Sequence, residues 1–111
     1  MHIMSNIGVD LVYMPELQRR LEQSGGVEKV FTDSELAGNS KLESLAGIFA
    51  AKEAFIKALG RKIDWHDLWI EKKESGEPIL MSVLLTPKQK VQVSISHDGE
   101  YVIAVVFIEE N

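Results

Sequence analysis

Apolar residues alternate along Asn6 to Tyr13, NIGVDLVY, as in a β-strand. Ile7, Val9, Leu11 and Tyr13 point one way; Gly8, Asp10 and Val12 point the other. From Asn39 to Gly60 the spacing changes to the 3.6-residue period of a helix. Leu42, Leu45, Ala46, Phe49 and Ile56 line one side of it, with Glu53 inside that stripe and Lys57 one turn further on. The other side carries Gly47, Ala51, Ala54 and Ala58, small enough for a second backbone to come close. Asn39 or Ser40 is expected to cap the start, Ser40 forming a capping box with Glu43. Gly60 ends it, and Arg61 and Lys62 suit the negative end of the dipole. A helix with so little polar surface is largely buried, so Glu53 needs a partner. On these two residues alone, a Glu53–Lys57 salt bridge is the simplest reading.

The remaining pattern fills in around these two elements. Pro15 and Glu16 open a short helix that should end at Gly25-Gly26 and expose Arg19 and Arg20 to solvent. Val27, Val30 and Phe31 form an apolar cluster. Thr32 and Glu35 make a capping box for a brief helix over Asp33 to Ala37. Strand-like runs follow at Leu68 to Lys73, Ile79 to Leu85, Val91 to Ser96 and Tyr101 to Ile108. Asp98-Gly99 is a strong hairpin signal between the last two. Trp65 and Trp69 read as packing residues. The final strand is apolar on both faces, which fits either a central strand under the long helix or a self-association surface. The pattern as a whole predicts an α+β fold, one long helix on a small, mainly antiparallel sheet.

The chain has 111 residues, enough for one domain with one modest core. A net charge of −5 argues against a general nucleic-acid binder. The absence of cysteine excludes disulfides, thiolate zinc sites and cysteine nucleophiles. No apolar run is long enough for a membrane span, and the opening MHIMSN lacks the apolar region of a secretory signal. A cytoplasmic protein is expected.

The chemistry-bearing residues are few: Asp10 in a strand that should disfavour it, Glu53, Lys57, Ser94, Ser96 and His97. Nucleophile-elbow, phosphate-loop and H-E-x-x-H motifs are absent. Two carboxylates without nitrogen or sulfur partners suit a hard cation such as magnesium, which commonly combines carboxylates, waters and phosphate oxygens. Lys57 and His97 could neutralise those phosphates.

Three segments resemble the holo-acyl-carrier-protein synthases, the short type of 4'-phosphopantetheinyl transferase: I-G-V-D at Ile7 to Asp10, F-A-A-K-E-A-F-I-K-A-L-G at Phe49 to Gly60, and V-S-I-S-H at Val93 to His97. The run F-T-D-S-E-L at Phe31 to Leu36 and the Y-V-I-A-V-V ending also fit, so the resemblance covers nearly the whole chain as a single domain, residues 1–111. The middle segment is the specific one. The resemblance implies that Asp10 and Glu53 hold magnesium, that Lys57 contacts the coenzyme A pyrophosphate, and that Ser94, Ser96 and His97 lie near the coenzyme phosphates. It implies transfer of the 4'-phosphopantetheine arm from coenzyme A to a serine of an acyl carrier protein, with Glu53 and Lys57 as catalytic residues. It also implies a cytoplasmic homotrimer with active sites between subunits, and no membrane or nucleic-acid partner.

Several positions depart from the family pattern. Glu16 stands where an Arg usually docks the carrier, with Arg19 and Arg20 one helical turn beyond. Ile48 stands where an Arg often precedes the F-A-x-K-E run. The loop after the long helix and the segment before it are both short. These departures keep open a non-catalytic trimeric relative that binds coenzyme A or a partner. A structural domain with a buried Glu53–Lys57 pair is the third reading.

Overall fold

The computed structural model describes residues 4–23 and 25–110; the first three residues of the MHIMSN stretch lie outside them. Strand β1 (Met4–Tyr13) runs directly into helix α1 (Met14–Leu21), with Pro15 in its first turn. Helices α2 (Gly26–Val30) and α3 (Asp33–Gly38) lead to the long helix α4 (Leu42–Leu59). A 3-10 turn at Trp65–Asp67 precedes β2 (Leu68–Lys72) and β3 (Pro78–Ser82). Strands β4 (Gln89–Asp98) and β5 (Tyr101–Glu110) close the fold. The architecture is α+β, as the pattern predicts.

The main sheet has the order β1-β5-β4 and is antiparallel throughout; β2 and β3 form a separate two-stranded sheet. The chain's last strand is therefore the central one. Val102, Ala104, Val106 and Ile108 are buried, while Tyr101 and Ile103 are exposed on the opposite face. The central-strand reading holds: β5 lies between β1 and β4 under α4, and the Tyr101–Ile103 end of its other face is exposed. Ile7, Val9, Leu11 and Tyr13 of β1 extend that apolar outer face.

Close contact between β1 and α4 depends on Gly8. A Cβ there would lie 1.9 Å from the Ala54 carbonyl oxygen and 2.8 Å from the Ala58 nitrogen. The Ala54 and Ala58 part of the small face of α4 is thus occupied by the β1 backbone, while Gly47 faces the Ile95 side chain of β4. Gly60 ends α4 in the left-handed conformation, its N–H donating to the Ile56 carbonyl.

Five local expectations change. Lys41, with no side-chain cap, precedes α4, so Ser40 and Glu43 do not form a capping box. Helix α1 ends at Leu21 rather than at the glycine pair, and the Val27–Val30 cluster is a helix of its own. β3 stops at Ser82 because its hydroxyl donates to the Asp67 carbonyl and accepts from the Leu84 N–H, which turns the chain. β4 runs longer than Val91 to Ser96, reaching Asp98. The Thr32–Glu35 capping box forms as expected.

Candidate active site

Asp10 lies on the α4 side of β1, two residues beyond the glycine that lets strand and helix touch. Its carboxylate is mostly shielded, at 13% side-chain exposure, and meets the Lys57 ammonium at 3.0 Å. Lys57 also donates to the Val9 carbonyl at 3.1 Å. The lysine thus pairs with the strand rather than with Glu53 on its own helix. The i,i+4 pair inferred from spacing gives way to a tertiary one, and Glu53 has no ion pair within bonding range among the described residues.

Glu53 is half-buried, and its carboxyl is held above the ordinary glutamate range. Burial is the largest cause and the neighbouring Asp10 charge the next; Lys57 and Arg20 pull the other way. Two carboxylates from different elements therefore face a common space, with a cation on either side. Such a pair favours a bound cation, because it relieves the repulsion and replaces lost hydration.

Arg20 is exposed, as the sequence suggests, but it also makes a contact with α4. Its guanidinium sits over the Phe49 ring, 5.5 Å from the centroid. Phe49 lies one turn before Glu53 on α4. Arg20 and Asp10 line one shallow concavity, with Tyr13, Glu16 and Leu17. Glu16 stays exposed on that rim.

His97 belongs to a different place. It lies on the helix-facing side of β4, and its Nε2 is 2.7 Å from Glu43 Oε1 at the start of α4. Ser94 and Ser96 point to the opposite, exposed face, as strand alternation requires. Asp10 pairs with Ala104, and Ala104 with Ile95, so Asp10 and the His97 segment occupy opposite edges of the sheet. Two strand spacings separate them, about 10 Å. His97 lines a cavity of about 350 Å³ with Ile48, Ile70, Lys72, Gly76 and Pro78. Ile48 is 3% exposed and makes this wall apolar. Within one chain, the structure brings together Asp10, Glu53 and Lys57, and leaves Ser94, Ser96 and His97 apart from them.

The most heavily bonded charged group was not singled out from the sequence. Lys52, fully buried, donates to Glu35 Oε1 at 2.7 Å, the Val30 carbonyl at 2.8 Å and the Trp65 carbonyl at 3.1 Å. Glu35 completes its shell with the Thr32 and Ile70 N–H groups. The sequence held one signal for it. A lysine in a run of buried alanines and aromatics, IFAAKEAF, requires a partner as surely as Glu53 does. Trp65 is a packing residue, stacked 5.4 Å from Phe49.

Comparison with known proteins shows the family. The description of the 4'-phosphopantetheinyl transferase superfamily matches residues 6–106. Holo-[acyl-carrier-protein] synthases from Halalkalibacterium halodurans and Anoxybacillus flavithermus are 41% and 39% identical, the alignments covering 92% and 93% of both chains respectively. The structure superposes on a holo-(acyl-carrier-protein) synthase from Bacillus anthracis in complex with CoA (3',5'-ADP), with TM-score 0.84 and 28% identity over 99% of this chain and 100% of that one. A synthase–CoA complex from Chronobacterium ammoniagenes gives TM-score 0.82 and 27% identity over 97% and 98% of the chains. On its sequence and its fold, this chain belongs to the 4'-phosphopantetheinyl transferase superfamily.

Proposed function

We propose that the protein is a holo-acyl-carrier-protein synthase, moving the 4'-phosphopantetheine arm of coenzyme A to a serine of an acyl carrier protein. The serine oxygen forms a new bond to the phosphorus that carries pantetheine. The bond from that phosphorus to the bridging oxygen breaks, and adenosine 3',5'-bisphosphate leaves. The observation that carries this reading is the facing pair of carboxylates, Asp10 and Glu53, with Lys57 beside them.

The donor set fits magnesium: two carboxylates in a half-shielded space open to phosphate oxygens, with the described histidines, His66 and His97, bonded elsewhere and no cysteine in the sequence. When bound, the ion supplies electrostatic stabilisation of the charge that develops on the phosphates. Lys57 holds the departing phosphate through its ammonium, which has two acceptors here and a third N–H free to turn outward. Glu53, or a water held by it or by Asp10, takes the serine proton.

His97 and its cavity, a nucleotide-sized apolar space with Lys72 at the edge, suit the adenosine part of coenzyme A. Because His97 and Asp10 lie on opposite sheet edges of one chain, a complete site calls for a neighbouring subunit. The uncovered face of Ile7, Val9, Leu11, Tyr13, Tyr101 and Ile103 supports a homotrimer in which one subunit offers its β1 edge to the β4 edge of the next. No helix among the described residues is long and apolar enough to cross a membrane, and the proposed location is the cytoplasm. Residues 1–111 are read as a single domain.

Intact-mass analysis of apo carriers after incubation with coenzyme A, with and without magnesium, tests the proposal. A magnesium-dependent gain of one phosphopantetheine arm is expected, abolished in Glu53→Gln. If no carrier gains mass while coenzyme A still binds, the protein is the non-catalytic relative, and Glu16 and Ile48 become the positions to revert to Arg.

A further inference from the structure

Along one face of α4 the order is cation, carboxylate, cation. Arg20 sits over Phe49, one turn before Glu53; Lys57 follows Glu53 by one turn; Asp10 lies alongside from β1. Along α4 the two cations lie to either side of Glu53, one at Phe49 and the other at Lys57. Lys57 bonds at Val9 and Asp10, whereas Arg20 shares its concavity with Asp10, Tyr13 and Glu16. Arg20 takes part in none of the ion pairs among the described residues, so its guanidinium is available to a ligand. Its place over the Phe49 ring holds the exposed guanidinium beside α4.

A diphosphate has two phosphoryl groups to satisfy. In an in-line displacement the departing phosphate and the transferred group occupy different positions, and charge spreads over the transferred group's equatorial oxygens. Resting on the transferase reading above, we propose that Arg20 binds the phosphoryl group being transferred, on the side of Asp10 and Glu53 away from Lys57, while Lys57 takes the phosphate that leaves. A planar guanidinium suits this task, since it can meet two phosphoryl oxygens at once. Arg20 is then a catalytic residue contributed by α1, four positions beyond Glu16.

The two nucleotides of the reaction separate this role from others. Coenzyme A contains the phosphoryl group in question; adenosine 3',5'-bisphosphate does not. Calorimetric titrations with magnesium present should show Arg20→Gln binding coenzyme A about tenfold more weakly, with the bisphosphate unaffected. The rate constant for transfer should fall about a hundredfold at saturating carrier, with Arg20→Lys recovering part of the loss. Equal weakening of both nucleotides, or no weakening of either, overturns the assignment. A change confined to the KM for carrier also overturns it and makes Arg20 a docking residue. A wild-type protein that binds both nucleotides but loads no carrier overturns the transferase reading, while the selective loss in Arg20→Gln still supports the phosphoryl contact. A wild-type protein that binds neither overturns both.

Discussion

Lys52 and Lys57 stand on the same helix, five positions apart, and each meets one carboxylate from a distant part of the chain. The resemblance ends there. Lys52 is fully buried, and its three contacts use all the donors an ammonium has. Glu35 is equally enclosed. Burial pushes the Lys52 ammonium toward lower pKa, against the pull of Glu35. Lys57 is 54% exposed, and its partner Asp10 retains an open side. A closed pair has nothing left to offer a substrate. It ties the α2, α3 and Trp65 segments to α4. An open pair holds its groups loosely enough to exchange one ion for another. Solvent access and spare valence distinguish the two roles; charge and distance do not.

Breaking the closed pair should have the largest effect on stability. Lys52→Met leaves Glu35 buried without its cation and should cost about 3–5 kcal/mol in urea unfolding. A cost below about 1 kcal/mol would place this pair with the ordinary surface ion pairs. Lys57→Ala should change stability by less than about 1 kcal/mol. The same substitution should lower the transfer rate by about a hundredfold or more. If Lys57→Ala unfolds the protein as readily as Lys52→Met does, the contrast between the pairs collapses.

The smallest effect sharpens the contrast through pH. The Glu53 carboxyl keeps its proton to higher pH in the folded protein than in the unfolded chain, because of burial first and Asp10 second. Between the ordinary glutamate value and the raised one, the folded state binds more protons. Metal-free stability therefore falls as pH rises through that window. Glu53→Gln cannot ionise, so its part of that fall should vanish, leaving the variant slightly more stable than wild type near neutrality. Thermal melts in chelator from about pH 4 to about pH 8 check this. Parallel profiles for the two proteins would show that Glu53 carries no strain.

Local signals in the sequence were largely reliable. The alternation in NIGVDLVY, the Thr32–Glu35 box, the Gly60 stop and the Asp98-Gly99 hairpin each depend on neighbours within a few residues, and each forms. The small face of α4 was legible, although not that Gly8 would fill it. What failed was pairing by proximity in sequence. Ser40 and Glu43 have the spacing of a capping box, yet Glu43 turns to His97 on β4. Glu53 and Lys57 have the spacing of a helix pair, yet Lys57 turns to Asp10. Glu35 was legible as a cap and illegible as the partner of Lys52, since that depends on how separate elements stack. Ser94, Ser96 and His97 are adjacent in sequence, but the strand's two-residue period divides them between opposite faces.

The strand order carries a consequence for how the molecule is made. β1 pairs only with β5, from Met4 opposite Glu110 to Tyr13 opposite Tyr101. A growing chain therefore emerges with its first strand unpaired, and the ladder that receives it is translated after all the other described elements. Until then the helix-facing side of β1, where Gly8 meets Ala54 and Ala58, has only α4 to rest on. Pairings this distant along the chain are slow to form and leave strand edges open in the meantime. A ribosome-bound nascent chain stopped before Tyr101 should hold α4 without the main sheet, with Asp10 not yet fixed by strand pairing beside Glu53.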